Sequence, residues 1–189
     1  MPFPVFGGTP RHRRPRSPGF ALCALLVLSA CNPTFNWREL RPEGTPLQAL
    51  MPCKPETATR PVPLDGGAPT DLHMHSCEAG GLTFAVAWAE LGDAARVPGA
   101  LSGWRRASLG AVRVDPARAD DPAMAWNAAV SGATVVQGLT AQGSNHAGQP
   151  VQVRAAHFAR GTQVYQAAVY GPAPSDEVTG AFFDGLKLP

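Results

Sequence analysis

Four residues that could hold a metal ion recur at every second position in Asp71-x-His73-x-His75-x-Cys77. On a β-strand, alternate side chains share a face and are spaced by about 7 Å. Carboxylate, imidazole and thiolate suit Zn or Cu. Neighbouring His73 and His75 could share one ion. Asp71 and Cys77 stand too far apart to join them unless another segment supplies ligands. The plainer reading is a strand face that is polar because it is wet. Asp71, His73 and His75 are therefore metal candidates only, and no cofactor is expected.

A second set of residues lies near the amino terminus. Arg11, Arg13, Arg14 and Arg16 precede an apolar run at residues 20–28. That run is far short of the roughly 20 residues that span a bilayer as a helix. A basic flank, a short apolar stretch and small residues read as a secretory signal. Leu28-Ser29-Ala30-Cys31 resembles the bacterial lipobox, with a branched apolar residue, two small residues and a Cys. The resemblance implies that the Cys31 thiol carries diacylglycerol and that the chain is cut before it. Asn32 stands where an inner-membrane retention signal would have Asp. By the same resemblance, the protein faces the periplasm from the outer membrane of a Gram-negative cell. Pro15 and a missing apolar pair argue against a twin-arginine signal. The expected organisation is a signal over 1–30, an anchor and tether over 31–46 whose Phe35, Trp37 and Leu40 could dock on the domain, and one domain over 47–189.

Of the four Cys, Cys23 leaves with such a signal and Cys31 is acylated, so Cys53 and Cys77 remain. An even pair in an oxidising compartment reads as a disulfide. Asp65-Gly66-Gly67 is the strongest turn signal between them. A hairpin turning there places the two Cys almost opposite each other, at a separation that suits a bridge. No C-x-x-C motif is present, so the bridge is read as structural rather than redox-active.

Nucleophilic catalysis needs a Ser or Cys beside a base that a third group holds. The chain has no G-x-S-x-G elbow. His146 falls in a turn-rich stretch and His157 at the end of a strand, and each reads as a surface or capping residue. Asp120-Asp121 reads as a helix cap rather than a catalytic pair. Gly66-Gly67 and Gly80-Gly81 read as hairpin turns, not phosphate loops. Arg105-Arg106 reads as a solvated basic spot, and Trp88 and Trp104 as core. No enzymatic activity is expected from these motifs.

The elements that must position these residues follow from periodicity. Residues 60–64 hold Pro61 and Pro63, and proline confines a strand to an edge. Residues 71–76 alternate, with Leu72 and Met74 on one face and His73 and His75 on the other. Residues 82–91 form a strongly apolar strand. A helix fits 97–112, with Pro98 in its first turn and Val97, Leu101 and Trp104 on one stripe. Residues 113–130 read as a loop with a short helix after Asp121. Strands follow at 133–139, 151–158 and 162–170. Ser175 caps a last helix with Asp176 and Glu177 in its first turn.

Composition bounds the rest. The chain has 189 residues and a net charge of +2. Four of its 16 basic side chains lie before residue 31, where there is no Asp or Glu. The remainder holds 12 basic against 14 acidic side chains and is slightly acidic. The basic excess therefore belongs to the signal, and no nucleic-acid partner is expected.

Strands, a helix, more strands and a final helix predict an α+β fold with an antiparallel sheet. Residues 47–189 also resemble bacterial PsbP-like domains. The resemblance rests on the segment LMPCKP at 50–55, on GGLTFAV at 80–86, on GTQVYQAAVYGP at 161–172 and on the ending FFDGLKL. It implies an antiparallel sheet of five to six strands packed with two main helices. It further implies a non-enzymatic binding or accessory domain for an envelope protein or complex. Two other readings remain open: a Cu- or Zn-handling lipoprotein using His73 and His75, and an envelope hydrolase whose site the motifs do not reveal.

Overall fold

The structure is a computed structural model, and it describes residues 33–189. Leu28, Ser29, Ala30 and Cys31, and with them the expected signal and lipid anchor, lie outside the described residues.

Ten regular elements follow one another in the described chain. They are β1 (Arg38–Leu40), β2 (Ala49–Met51), β3 (Glu56–Val62), β4 (Thr70–Ala79), β5 (Leu82–Glu90), α1 (Val97–Ala111), β6 (Val135–Ser144), β7 (Pro150–Arg160), β8 (Gln163–Gly171) and α2 (Asp176–Asp184). Strands β3 to β8 form one sheet in the order β3-β4-β5-β8-β7-β6, and β1 pairs with β2 in a small second sheet. Every strand pair is antiparallel. The class is α+β, with a six-stranded antiparallel sheet and two helices.

Both faces of the sheet are covered at its centre. Phe84, Val86, Phe158 and Tyr165 point to one side and pack with Met51, Phe182 and Leu188. Ala87, Ala89 and Ala159 point to the other side, where they meet Ala100, Leu101 and Trp104 of α1. Farther along that side, Leu109 and Val112 pack on Leu139, Val153, Ala155 and Ala168. The α1 face of the sheet is rich in alanine, so the helix can sit close to the backbone. The bulky side chains fill the opposite layer. Burial on both faces explains why β5 and β8 read as nearly unbroken apolar runs.

Several local expectations match. The proline-bearing strand β3 is an edge of the sheet. Ser175 caps α2 by accepting from the Val178 N–H. Asp121 caps a short 3-10 helix at Pro122–Met124 by accepting from the Ala123 N–H. Strand β6 runs farther than expected, to Ser144, because its polar end pairs with the start of β7 (Ser144 opposite Pro150). The turn shrinks to residues 145–149, where the Asn145 side chain accepts from the N–H groups of Ala147 and Gln149.

Within the segment expected as a tether, residues from Phe35 onward dock on the domain, the alternative its aromatic residues leave open. The Asn36 N–H donates to the Pro52 carbonyl at 2.7 Å, and β1 pairs with β2 from Arg38 opposite Met51. Phe35 and Trp37 each meet Phe84 edge-on, with ring centroids 6.3 Å apart. Proline and glycine breakers hide this segment from periodicity, whereas its aromatic rings gain buried area by docking. Among the described residues, no helix is long and apolar enough to cross a membrane.

Candidate functional site

Strand β4 carries the candidate residues, and its alternation is as expected. Met74 and Leu72 lean toward the α1 layer. His73, His75 and Cys77 lie on the opposite face, where Cys77 enters the main core. Cys53 and Cys77 form a disulfide, with Cα atoms 6.0 Å apart. The β3–β4 register sets Glu56 opposite Ser76, so Cys53 lies beyond the last paired residue. The chain bends at Pro52 and Cys53, and this bend brings the sulfur back to Cys77. The bridge thus closes the end of the ladder instead of sitting within it.

His73 and His75 flank a shallow cleft of about 270 Å³, also lined by Glu43, Thr57, Thr59 and Trp88. The His73 ring stacks on the Trp88 indole, with centroids 4.3 Å apart and planes 18° apart. Its Nδ1 lies 3.1 Å from Thr59 Oγ1 on the adjacent strand. The imidazole is therefore fixed from the side and from beneath. A turn over residues 41–45 reaches the same indole. Gly44 has a positive φ of 80°, and a Cβ there would come within 2.9 Å of the Trp88 ring, so only glycine fits the turn. His75 Nδ1 is buried without a hydrogen-bond partner. Burial, and secondarily the charge of His73, holds the His75 imidazole below its ordinary pKa.

The structure thus brings His73 and His75 together and leaves Asp71 exposed at one end of the row. Cys77 is spent on the disulfide. Among the described residues, no three His, Cys, Asp or Glu side chains gather as a metal site. A larger open cleft of about 550 Å³ lies beside the disulfide, with Lys54, Glu56 and Glu78 on its rim.

A different polar cluster escaped the sequence reading. His157 is fully buried beneath α1, not at a surface. Its Nε2 lies 3.1 Å from Ser108 Oγ and 3.1 Å from Gln166 Nε2. Gln166 Nε2 also donates to Ser108 Oγ at 2.8 Å. A buried hydroxyl beside an imidazole resembles the core of a nucleophilic pair, but three features oppose that role. Ser108 Oγ donates to the Trp104 carbonyl one turn back at 3.0 Å. His157 Nδ1 has no hydrogen-bond partner to orient it, where a catalytic base needs one. Both residues are sealed from solvent. Burial, and then the Arg105 charge, pushes the His157 pKa down to about 3, so the ring is neutral. The only sequence signal was helical spacing that sets Ser108 on the buried stripe with Trp104.

Other candidates fall in structural roles. Arg105 donates to the Ala119 carbonyl and to Gln137 Oε1, which corrects its reading as a solvated residue. It ties α1 to the loop that follows. Arg106 donates to Ser102 Oγ on its own helix at 2.6 Å. His146 Nδ1 lies 3.2 Å from an Arg113 nitrogen. Asp65, read only as a turn residue, also accepts two bonds from Arg96, at 2.7 and 3.2 Å. The Arg96 guanidinium, with help from the Gly67 N–H, lowers the Asp65 pKa to about 2.

Compared with known proteins, the chain matches no family model, no curated protein and no solved structure.

Proposed function

We propose that this chain is a lipoprotein anchored through Cys31 at the periplasmic face of the outer membrane. Its domain binds an envelope protein partner without catalysing a reaction. The lipobox-like Leu28-Ser29-Ala30-Cys31 supports the anchor. The resemblance of residues 47–189 to PsbP-like domains, carried by the sequence pattern alone, supports an accessory role. One geometric observation carries the binding reading. The half-buried imidazoles of His73 and His75 line a shallow ledge backed by Trp88, whereas the hydroxyl–imidazole pair of Ser108 and His157 is sealed. A shallow, open ledge with an aromatic floor suits a protein contact better than a small substrate.

Two measurements test this. Mass spectrometry of the mature amino terminus should find an acylated Cys31; an unmodified terminus elsewhere refutes the anchor. A photo-cross-linker at position 75 of the membrane-anchored chain should capture one discrete envelope protein, and one at position 106 on the far layer should not. Capture of nothing, together with turnover of some substrate that survives Ser108→Ala, sinks the binding reading.

The adjacency of His73 and His75 favours a second reading, in which the ledge handles Cu or Zn. The Thr59 contact leaves the Nε2 of His73 for an ion. Calorimetry on wild type and His73→Ala/His75→Ala separates the readings: equal, weak binding in both removes metal handling. The hydrolase reading requires substrate to reach Ser108 or another hydroxyl that no motif marks.

A further inference from the structure

The two edges of the six-stranded sheet are treated differently. Strand β6 is overlaid by the loop after α1. A Cβ on Gly138 would lie 2.1 Å from the Trp126 carbonyl, and the Ser144 N–H donates to the Val112 carbonyl at 2.9 Å. Among the described residues, no such backbone bond reaches the outer side of β3 between Glu56 and Pro61.

Which β3 groups point outward can be derived. In an antiparallel sheet, successive residues aim their N–H and C=O alternately at the two neighbouring strands. The Leu91 N–H donates to the Thr162 carbonyl, just past the paired ends of β5 and β8. Odd-numbered residues of β5 therefore bond to β8, and even-numbered ones to β4. His73 opposes Trp88, so odd residues of β4 bond to β5 and even ones to β3. Glu56 opposes Ser76, so Glu56, Ala58, Arg60 and Val62 bond inward. Thr57, Thr59 and Pro61 are left facing out. Pro61, which has no N–H, thus sits where it costs the ladder nothing.

From this geometry we infer that β3 pairs antiparallel with β3 of a second copy, joining the two sheets through Thr57 and Thr59. Only one register pairs every outward N–H and every outward C=O of Thr57 and Thr59. Thr57 must oppose Thr59 of the second copy, and Thr59 must oppose its Thr57. Centring the pair on Thr59 sets Thr57 against Pro61, and centring it on Thr57 sets Thr59 against Pro55. Each loses donors. In the favoured register Ala58 opposes Ala58, and Glu56 opposes Arg60 of the second copy on both sides of the two-fold axis. Opposite charges directly across a strand pair stabilise it. Pro55 then opposes Pro61, and the ladder stops at both ends. The charged flanks and prolines that protect an edge from indiscriminate pairing here leave one self-complementary window. The two ledges carrying His73 and His75 come to lie on the same face of the joined sheet. This pairing does not depend on the proposed anchor or on any other partner.

Oxidative cross-linking of the full chain tests the register. Ala58→Cys should give a disulfide-linked dimer bridged at position 58, identified by mass spectrometry. Thr57→Cys or Thr59→Cys alone should give little, and the two mixed should cross-link. Arg60→Glu in the Ala58→Cys chain should lower the dimer yield by about fivefold, since it sets like charges opposite each other twice. Adding Glu56→Arg to that chain should restore the yield, because the swapped charges match again. Retention of the Cys53–Cys77 bridge in each variant reports folding. The inference is overturned by no 58–58 bridge in a folded chain, by equal yields at positions 57, 58 and 59, or by a charge swap that does not rescue. Cross-linking of position 58 to a different protein instead also overturns it.

Discussion

At the residue scale, two buried or paired groups contribute to the acid behaviour of the domain. His157 is neutral because it is buried away from solvent and Arg105 stands nearby. Its pKa falls from 6.5 to about 3 on folding. Between those values the unfolded chain binds one more proton than the native one, so stability rises with pH. The expected slope is about 1.4 kcal/mol per pH unit. Denaturant unfolding from pH 6.5 down to 3 should show it, and His157→Gln should flatten it. Asp65 acts in a lower window. Its carboxyl is depressed to about 2 by Arg96, so its contribution is complete above the unfolded value near 4. That contribution disappears as pH falls through about 2. Asp65→Asn should lower stability at pH 7 and remove the added loss between pH 4 and 2. An unchanged acid limb in that variant would show that the Arg96 contact is energetically silent.

At the element scale, the disulfide closes one end of the β3–β4 ladder and the β1 segment covers Phe84 of the main sheet. The loop between Cys53 and Cys77 spans 24 positions, and closing a loop of that length stabilises by about 3 kcal/mol. Cys53→Ser/Cys77→Ser should lose that amount in urea unfolding, with fraying that begins at the open end of β3 and β4. Trp37 tests whether the segment before β2 belongs to the domain. A free tether would tolerate Trp37→Ala. Packed edge-on against Phe84, it should instead cost at least ~1 kcal/mol, since an aromatic pair contributes about 0.5–1.5 kcal/mol beyond its buried area. Strand β3 was readable as an edge because Pro61 removes a ladder donor. The hairpin turn was readable from Gly66, which adopts a positive φ of 77°. Strand β1 was not readable. Its three residues bear no alternating pattern, and they become a strand only because β2 and the aromatic core lie beside them.

At the scale of the whole molecule, the sheet has one face built for α1 and one for α2 and the small sheet. Phe84 stands at the centre of the second layer, fully buried, with Phe35, Trp37 and Phe182 around it. Phe84→Ala should cost about 3–5 kcal/mol by opening a cavity that three packed layers cannot collapse into. Thermal unfolding should then remain a single transition at a lower midpoint. Two separate transitions would show that the small β1–β2 sheet and the main sheet do not fold as one unit.

The pattern of types along the chain is enough to assign the α+β class, the strand that bears the two imidazoles, the edge position of β3 and the pairing of Cys53 with Cys77. These depend on local spacing: alternation along a strand, proline without an N–H, glycine at a turn and the distance from a turn to each Cys. The location of His157 in a sealed polar cluster, the docking of Phe35 and Trp37, the tie from Arg105 to Ala119 and the covering of β6 but not β3 came from the folded arrangement. Each depends on which layer lands on which face of the sheet. That outcome is set by contacts between residues far apart in sequence, such as Ser108 with His157 and Trp37 with Phe84, where no local period carries the information.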